Sequence, residues 1–237
     1  MITGQVNVRK ILILGAGKFG LKAAKTARRR WPGSEILVVD QDVQACREVE
    51  KQQFKVVCEP GVIYLARKMQ EPNRPDWVVP CIPVHVACEW IKQCLAPRYR
   101  VEILPVPRDV AGMLPNTMNG TDGALYMSNA DFICPDNCME PDDICTYTGK
   151  PRPRIMHQVL AAIDYENYKS VVLKSRQIGP GVGGYRSKDL LCVLDQSLDA
   201  GSPILLSTAC KCHGVMHCLK IISKVQPFLV TRDAGSL

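Results

Sequence analysis

Aromatic side chains are scarce: Phe, Trp and Tyr make up 6% of the 237 residues. That scarcity argues against a base-stacking nucleic-acid platform, which needs ring faces for successive bases. No apolar run approaches the roughly 18 residues that span a bilayer. The opening stretch, MITGQVNVRKILILGAGKFG, lacks a signal-peptide cleavage pattern, and its short apolar run is punctuated by glycine. The expected location is therefore the cytoplasm. There is no HExxH motif, no Ser-His-Asp pattern, no internal repeat and no low-complexity tract. Charge is mildly one-sided, with 30 Lys and Arg against 23 Asp and Glu, a net +7. The basic clusters Arg28–Arg30 and Lys150–Arg154 form no single stripe, which again argues against nucleic acid.

Cysteine is plentiful. Twelve are present, at 46, 58, 81, 88, 94, 134, 138, 145, 192, 210, 212 and 218. This density is below that of a small disulfide scaffold. A reducing compartment would keep the thiols free, and clustered thiols there point to metal or redox chemistry.

Residues 9–105 alternate short apolar runs with helical patterns. Strands are expected at Lys10–Leu14, Ile36–Asp40, Phe54–Cys58, Asp76–Pro80 and Val101–Leu104. Helices follow Gly20, span Asp42 to about Gln52 with Asp42 as cap, cover Gly61–Met69, and cover Val84–Leu95. Short apolar strands spaced by helices build a parallel sheet with right-handed crossovers. From Pro105 the texture turns proline-rich and irregular. Regular patterns return at Ile155: a helix over Ile155–Ile163, strands at Ser170–Lys174, Leu190–Leu194 and Pro203–Cys212, and a helix over His213–Ser223. Gly179–Tyr185 reads as a hairpin turn. The expected fold class is α/β: a Rossmann-like doubly wound parallel sheet, a cysteine-rich connection, and a smaller α+β C-terminal region. The corresponding spans are 8–112, 113–154 and 155–237.

Gly15-x-Gly17-x-x-Gly20 falls where a strand becomes a helix. Gly15 allows the tight turn, Gly17 lets backbone N–H groups approach a pyrophosphate, and Gly20 lets helix and strand pack closely. Lys18 and Phe19 lie inside this loop, and the helix N-terminus adds positive potential. Asp40 ends the next strand. Its carboxylate would accept from a ribose diol and repel a 2′-phosphate, which favours NAD over NADP. S-adenosylmethionine, FAD, or glycines used only for packing are the alternatives.

The run Ile11–Gly20 (ILILGAGKFG) followed by Ile36–Asp40 (ILVVD) resembles the NAD-binding domain of potassium-transport regulators of the TrkA-N or RCK type. The resemblance covers about residues 9–100. It implies a Rossmann fold holding NAD or NADH through Gly15, Gly17, Gly20 and Asp40. That family usually has a Gly-Asp pair after its third strand, where this chain has Val57-Cys-Glu-Pro-Gly61.

Two clusters carry the remaining signal. Cys134-Pro-Asp-Asn-Cys138 with Cys145 would offer three thiolates on one irregular loop, suited to zinc or an iron–sulfur centre. A Cys134–Cys138 redox pair, or plain reduced thiols, are the other readings. Neighbouring Glu140, Asp142 and Asp143 add negative charge that such a centre does not obviously want. The second cluster is Cys210-Lys-Cys212-His213-Gly-Val-Met-His217-Cys218. A strand would put Cys210 and Cys212 on one face and a following helix would put His213 and His217 on one face, so four soft ligands would converge at the junction on zinc or an iron–sulfur centre, with Cys218 in reserve; plain structural residues are another reading. Cys212, beside Lys211 and His213, is alternatively a reactive thiolate. His85, with Cys81 and Cys88 at helical spacing, follows the fourth strand. It would serve as a proton carrier there, although one packed helix face explains the spacing equally and is favoured. Cys46, Cys58, Cys94 and Cys192 read as core or near-core thiols and His157 as structural.

The functions that follow are an NAD-dependent oxidoreductase with a Cys/His-held metal or iron–sulfur centre, or a non-catalytic NAD(H) sensor acting on a transporter or another partner. A structural zinc protein with a relic Rossmann domain is the third. Substrate, redox partner and homo-oligomeric state stay open.

Overall fold

In the computed structural model, which describes residues 8–198 and 201–224, the chain begins with strand β1 (Lys10–Leu14) at the centre of a sheet. Its side chains alternate: Ile11 and Ile13 pack on one face, Leu12 and Leu14 on the other, all at most 2% exposed. A strand buried on both faces reads as an unbroken apolar run, which is why KILIL shows no polar alternation. Around it lie β2 (Glu35–Asp40), β3 (Lys55–Cys58) and β4 (Trp77–Pro80), all parallel, in the order β3-β2-β1-β4.

The crossovers are helices α1 (Lys18–Arg30), α2 (Val43–Lys51) and α3 (Gly61–Met69), and α4 (Val86–Leu95) follows β4. Helices α1 and α2 cover the Ile11 face; α3 and α4 cover the Leu12 face. The sheet is thus doubly wound. The α1 stripe of Ala23, Ala24 and Ala27 is fully buried and lets this helix lie close to the strands. Asp42 caps α2 as its position predicts, accepting from the N–H groups of Gln44 and Ala45 at 2.8 and 3.2 Å. Arg28, in the expected basic surface, turns back on its own fold: it stacks on Phe54 at 3.6 Å and donates to the Gln52 and Gln53 carbonyls.

The chain then departs from its expected topology. β5 (Tyr99–Leu104) does not extend the parallel sheet. It pairs antiparallel with β12 (His213–Ser223) in a second sheet. In its place the first sheet takes the hairpin of β9 (Arg176–Gly179) and β10 (Val182–Arg186), with β10 antiparallel to β4. The second sheet holds β6 (Met118–Asn119), β7 (Leu125–Ser128), β12, β11 (Ile204–Ala209) and β8 (Lys169–Lys174) in that order. Two further expectations are corrected. His213–Ser223 is a strand, paired antiparallel with β5, β7 and β11; Met216–Leu219 is buried on both faces, so the period of two that marks a strand is missing there. Leu190–Leu194 lies within helix α7 (Ser187–Leu198), which buries Ser187, Leu190, Val193 and Ser197 at helical spacing.

Helices α5 (Arg108–Gly112) and α6 (Met156–Ala161) cover the outer face of the second sheet. Helices α3, α4 and α7 share the core on the Leu12 side of the first sheet, and this core continues into Val171, Leu173, Ile204, Leu206 and Leu219 of the second. The result is a layered α/β/α/β/α stack. Each fully buried aliphatic side chain contributes roughly 1.5–3 kcal/mol of transfer free energy. No helix among the described residues is long and apolar enough to cross a membrane.

Candidate functional site

The loop after β1 has the shape its glycines require. Gly15 holds φ at +111°, a conformation that disfavours any side chain, and a Cβ there would meet the Cys81 carbonyl oxygen at 2.7 Å. Gly20 faces the Gly15 backbone so closely that a Cβ would lie 1.8 Å from its oxygen. Gly17 is different: a Cβ there would meet nothing within 4 Å, so its surface is open. Gly17 is also the N-cap of α1, and no side chain caps the helix. A first turn without a side-chain cap is a ready donor set for an anion.

Asp40 closes the other side of this crevice. Its Oδ2 accepts the Ala16 N–H at 2.6 Å and its Oδ1 accepts the Asp42 N–H at 2.9 Å, which fixes the carboxylate at the end of β2. The cavity lined by Gly17, Asp40, Pro60, Cys81, Ile82 and Pro83 has a volume of about 1070 Å³. It lies beyond the C-terminal ends of β1, β2 and β4, where doubly wound sheets receive ligands.

A second cavity of about 450 Å³ adjoins it, sharing Cys81, Ile82 and Pro83 and adding Phe19 and Gly181–Gly183. A third, of about 300 Å³, shares Phe19 and Gly181–Gly183 with the second. It is lined by Cys134, Cys138, Cys210, Cys212 and His213. The middle cavity thus lies between the one at the glycine loop and the one lined by thiols.

The thiols come from two places. Cys134, Cys138 and Cys145 lie on the loop between β7 and α6. Cys210, Cys212 and His213 form the tight turn joining β11 to β12, closed by the Cys210 N–H donating to the His213 carbonyl at 3.0 Å. The turn aims backbone donors at sulfur: Cys210 Sγ accepts from the N–H groups of Cys212 and His213, both at 3.3 Å. Cys138 Sγ accepts from Glu140 N–H at 3.4 Å. Cys145 accepts from the Thr148 hydroxyl and from the N–H groups of Thr148 and Tyr147, which lowers its pKa. Amide donors two and three residues along are the environment that stabilises a thiolate and tunes a bound centre. Burial opposes ionisation, and at Cys210 it outweighs the two amide donors. It pushes Cys210 up to about 12 and raises Cys134; for Cys212 it outweighs the opposing pull of Arg152.

The acidic residues beside the cysteines have a structural task. Glu140 Oε1 accepts the Lys211 N–H at 2.8 Å, and Asp142 pairs with the Lys211 ammonium. Arg152 donates to Cys212 Sγ and to the Pro141 carbonyl. These contacts stitch the cysteine loop to the turn. On its other side the loop is tied to the glycine-loop helix, with Lys18 Nζ 2.8 Å from Asp136 Oδ2 and Lys22 donating to the Asp136 carbonyl. The β9–β10 hairpin seats it through Gln177 and Gly181, which donate to the Cys138 carbonyl at 2.6 and 2.9 Å.

The structure divides the remaining candidates. In a strand, His217 lies about 13 Å along from His213, so the two do not converge as a helix would have made them. His217 packs in the middle layer against His85, with Nδ1 atoms 2.9 Å apart. Cys218 points to the opposite face of β12, into the outer core with Met216. Cys46 is buried, but Cys58 and Cys192 are exposed, correcting the expectation of core thiols. His157 begins no ligand set; its N–H holds the Cys210 carbonyl at 3.2 Å. Sequence reasoning missed Arg152, Thr208 and Asp122, for which spacing carried no signal.

Residues 11–62 match the TrkA-N domain, a Rossmann-like domain that implies a bound dinucleotide. Residues 87–222 match the AF_1314_C family, described as "Uncharacterized protein, C-terminal domain". An uncharacterized protein of Archaeoglobus fulgidus is 27% identical over 223 residues, which cover 88% of this chain and 98% of that protein. No solved structure matches. With its C-terminal match spanning more than half of the sequence, the chain belongs to the AF_1314_C family, carrying a TrkA-N domain ahead of that region.

Proposed function

We propose that the chain is an NAD(H)-dependent oxidoreductase with a thiolate-held metal or iron–sulfur centre at the far end of its dinucleotide groove. One observation supports this reading: a middle cavity shares Cys81, Ile82 and Pro83 with the cavity beside the glycine loop and Phe19 and Gly181–Gly183 with the cysteine-lined one, so the two neighbour each other. The pyrophosphate would lie on the N-terminus of α1 at Gly15, Gly17 and Gly20, and the adenosine ribose on Asp40. Phe19, 49% exposed, stands where the dinucleotide's reacting end would meet the cysteine cavity. The nearby donors, Cys134, Cys138, Cys145, Cys210 and Cys212 with His213, are of the type a soft or borderline metal takes; among the described residues no three of their ligand atoms lie within 4.8 Å of one another, so binding would have to draw the loop and the turn together. When bound, NADH supplies a hydride, two electrons and one proton, to an acceptor in the groove. The protein's part is to hold the dinucleotide, keep the thiolates supplied with amide donors, and bind the two regions together through Lys18 and Arg152.

Two results are expected. Anaerobically purified protein should carry stoichiometric iron with acid-labile sulfide, or zinc. Cys138→Ser and Cys210→Ser should each lower that content while NADH still binds. Free thiols without metal in the native protein would remove the centre from this reading. Second, Asp40→Asn should weaken NADH by about tenfold, the loss of a charge-assisted hydrogen bond, and narrow the preference over NADPH. Titration of nicotinamide fluorescence measures both; unchanged affinities would displace the ribose from Asp40.

A non-catalytic sensor is the second reading, favoured by the Lys18–Asp136 pair. A pyrophosphate on the loop would compete with Asp136 for Lys18 and so pull on the cysteine loop. Binding without turnover of NADH by any electron acceptor would favour it.

A further inference from the structure

The buried histidine pair has no part in the groove. His85 is the N-cap residue of α4, Cys88 lies one turn along, and His217 reaches them from β12. They are 3%, 0% and 1% exposed. One ligand atom from each lies within 4.8 Å of the others. The rings stack with centroids 5.1 Å apart. On the outer side, His85 Nε2 is 2.9 Å from Thr208 Oγ1, and His217 Nε2 is 3.6 Å from Asp122 Oδ2.

The surroundings are aliphatic: Val86, Ala87, Ile91, Leu206 and Leu219 pack in the same core. Filling that space needs only leucine, whereas two imidazoles in it bring four ring nitrogens, each costly if unpartnered. On the outer side His85 Nε2 has the Thr208 hydroxyl, and His217 Nε2 faces the Asp122 carboxylate at ion-pair distance. The inner two nitrogens share one hydrogen bond at 2.9 Å beside the Cys88 thiol. An imidazole whose outer N–H meets a carboxylate or hydroxyl, with its inner lone pair turned to soft neighbours, is the arrangement of a metal-ligating histidine. Burial keeps both rings neutral, so one Nδ1 donates to the other; a metal would replace that hydrogen bond, with the donating ring shifting its proton to Nε2. Two imidazoles and a thiol suit zinc and disfavour the oxygen-seeking magnesium and calcium.

We propose that His85 Nδ1, His217 Nδ1 and Cys88 Sγ bind one zinc ion that clamps α4, after the last parallel strand of the first sheet, to β12 at the heart of the second. Binding expels the Cys88 thiol proton, so two neutral histidines, a thiol and Zn²⁺ give a site of net charge +1 and one proton in solution. Asp122, through His217, is the carboxylate that balances it. None of the three ligands lines the groove, so this site is independent of the cysteine-loop centre.

The test loads the intact protein with cadmium and records cadmium NMR, alongside a cobalt titration followed in the visible. The expected result is one resonance in the range of mixed imidazole–thiolate sites, separate from any all-thiolate signal, and one equivalent of cobalt with a sulfur charge-transfer band lost in Cys88→Ser. Asp122→Asn, which alters an exposed residue and leaves the three ligands in place, should weaken cobalt by about tenfold, the effect of losing a carboxylate behind a ligating histidine. No mixed-donor cadmium resonance in the native protein overturns the proposal. So does a cobalt affinity unmoved in Asp122→Asn, which decides the matter if Cys88→Ser fails to fold.

Discussion

Gly20→Ala is expected to abolish dinucleotide binding and to destabilise the protein by about 3 kcal/mol or more, an overpacking change with no soft neighbour to yield. The added Cβ would lie 1.8 Å from the Gly15 carbonyl oxygen and 2.7 Å from its carbonyl carbon, both backbone atoms. Relief requires α1 to lift from β1 or the loop to open. Gly15 cannot easily move, because its own N–H is held by the Val39 carbonyl at 2.8 Å and the Cys81 carbonyl closes its other side. Lifting α1 would also pull on Asp136 through Lys18 and Lys22, so thiol accessibility in the cysteine loop should rise together with the loss of NADH affinity. Urea unfolding and thiol titration measure these effects on one sample. Gly17→Ala, where a Cβ meets nothing, should leave stability within about 1 kcal/mol, a Gly-to-Ala change at a helix N-cap. Equal stability losses in the two variants would contradict the packing argument.

Acid should weaken the fold steeply. Burial, aided by its neighbour His217, brings His85 down to about 3, against an ordinary value of 6.5. His217 is lowered too, again chiefly by burial. Both groups are neutral in the folded protein and bind protons once unfolded. Their stabilising contribution is complete above pH 6.5 and is lost as pH falls towards the folded value. For His85 the cost is about 1.4 kcal/mol per pH unit between those limits, and His217 adds in the same direction. From pH 6.5 to 4.5, His85 alone accounts for roughly 2–3 kcal/mol. Urea midpoints measured with and without chelator across that range should fall with pH, and His85→Gln should flatten the fall. A midpoint independent of pH between 6.5 and 4.5 would contradict a neutral buried pair.

The glycine loop, its flanking strands and helices, and the Asp42 cap were legible because each is a local matter. A buried parallel strand, a turn that only glycine adopts and a capping carboxylate announce themselves within a few residues. The choice of partner strand does not. Val101–Leu104 is apolar enough for either sheet, and it joins β12, more than a hundred residues away in sequence. The helix α7 did leave a signal, the spacing of Leu190, Val193 and Ser197, hidden inside an apolar run short enough to pass for a strand. The approach of the two cysteine clusters was legible only as a density of thiols, because the stitches that bring them side by side join Glu140, Asp142 and Arg152 to residues about 60–70 positions away. The meeting of His85 and His217, 132 positions apart, has no local trace at all.

The exchange of strands between the two sheets has a consequence for how the chain reaches its fold. Residues 99–104 are made early yet find their partner only after β12 has been synthesised, and the outer edge of β4 waits for residues 182–186. Neither half can therefore be cut out and expressed alone without leaving a naked sheet edge prone to aggregation. The chain should unfold in one cooperative transition and refold slowly, as a high-contact-order topology does. A protease cut in the loop between the sheets should nick the protein without letting its two fragments separate.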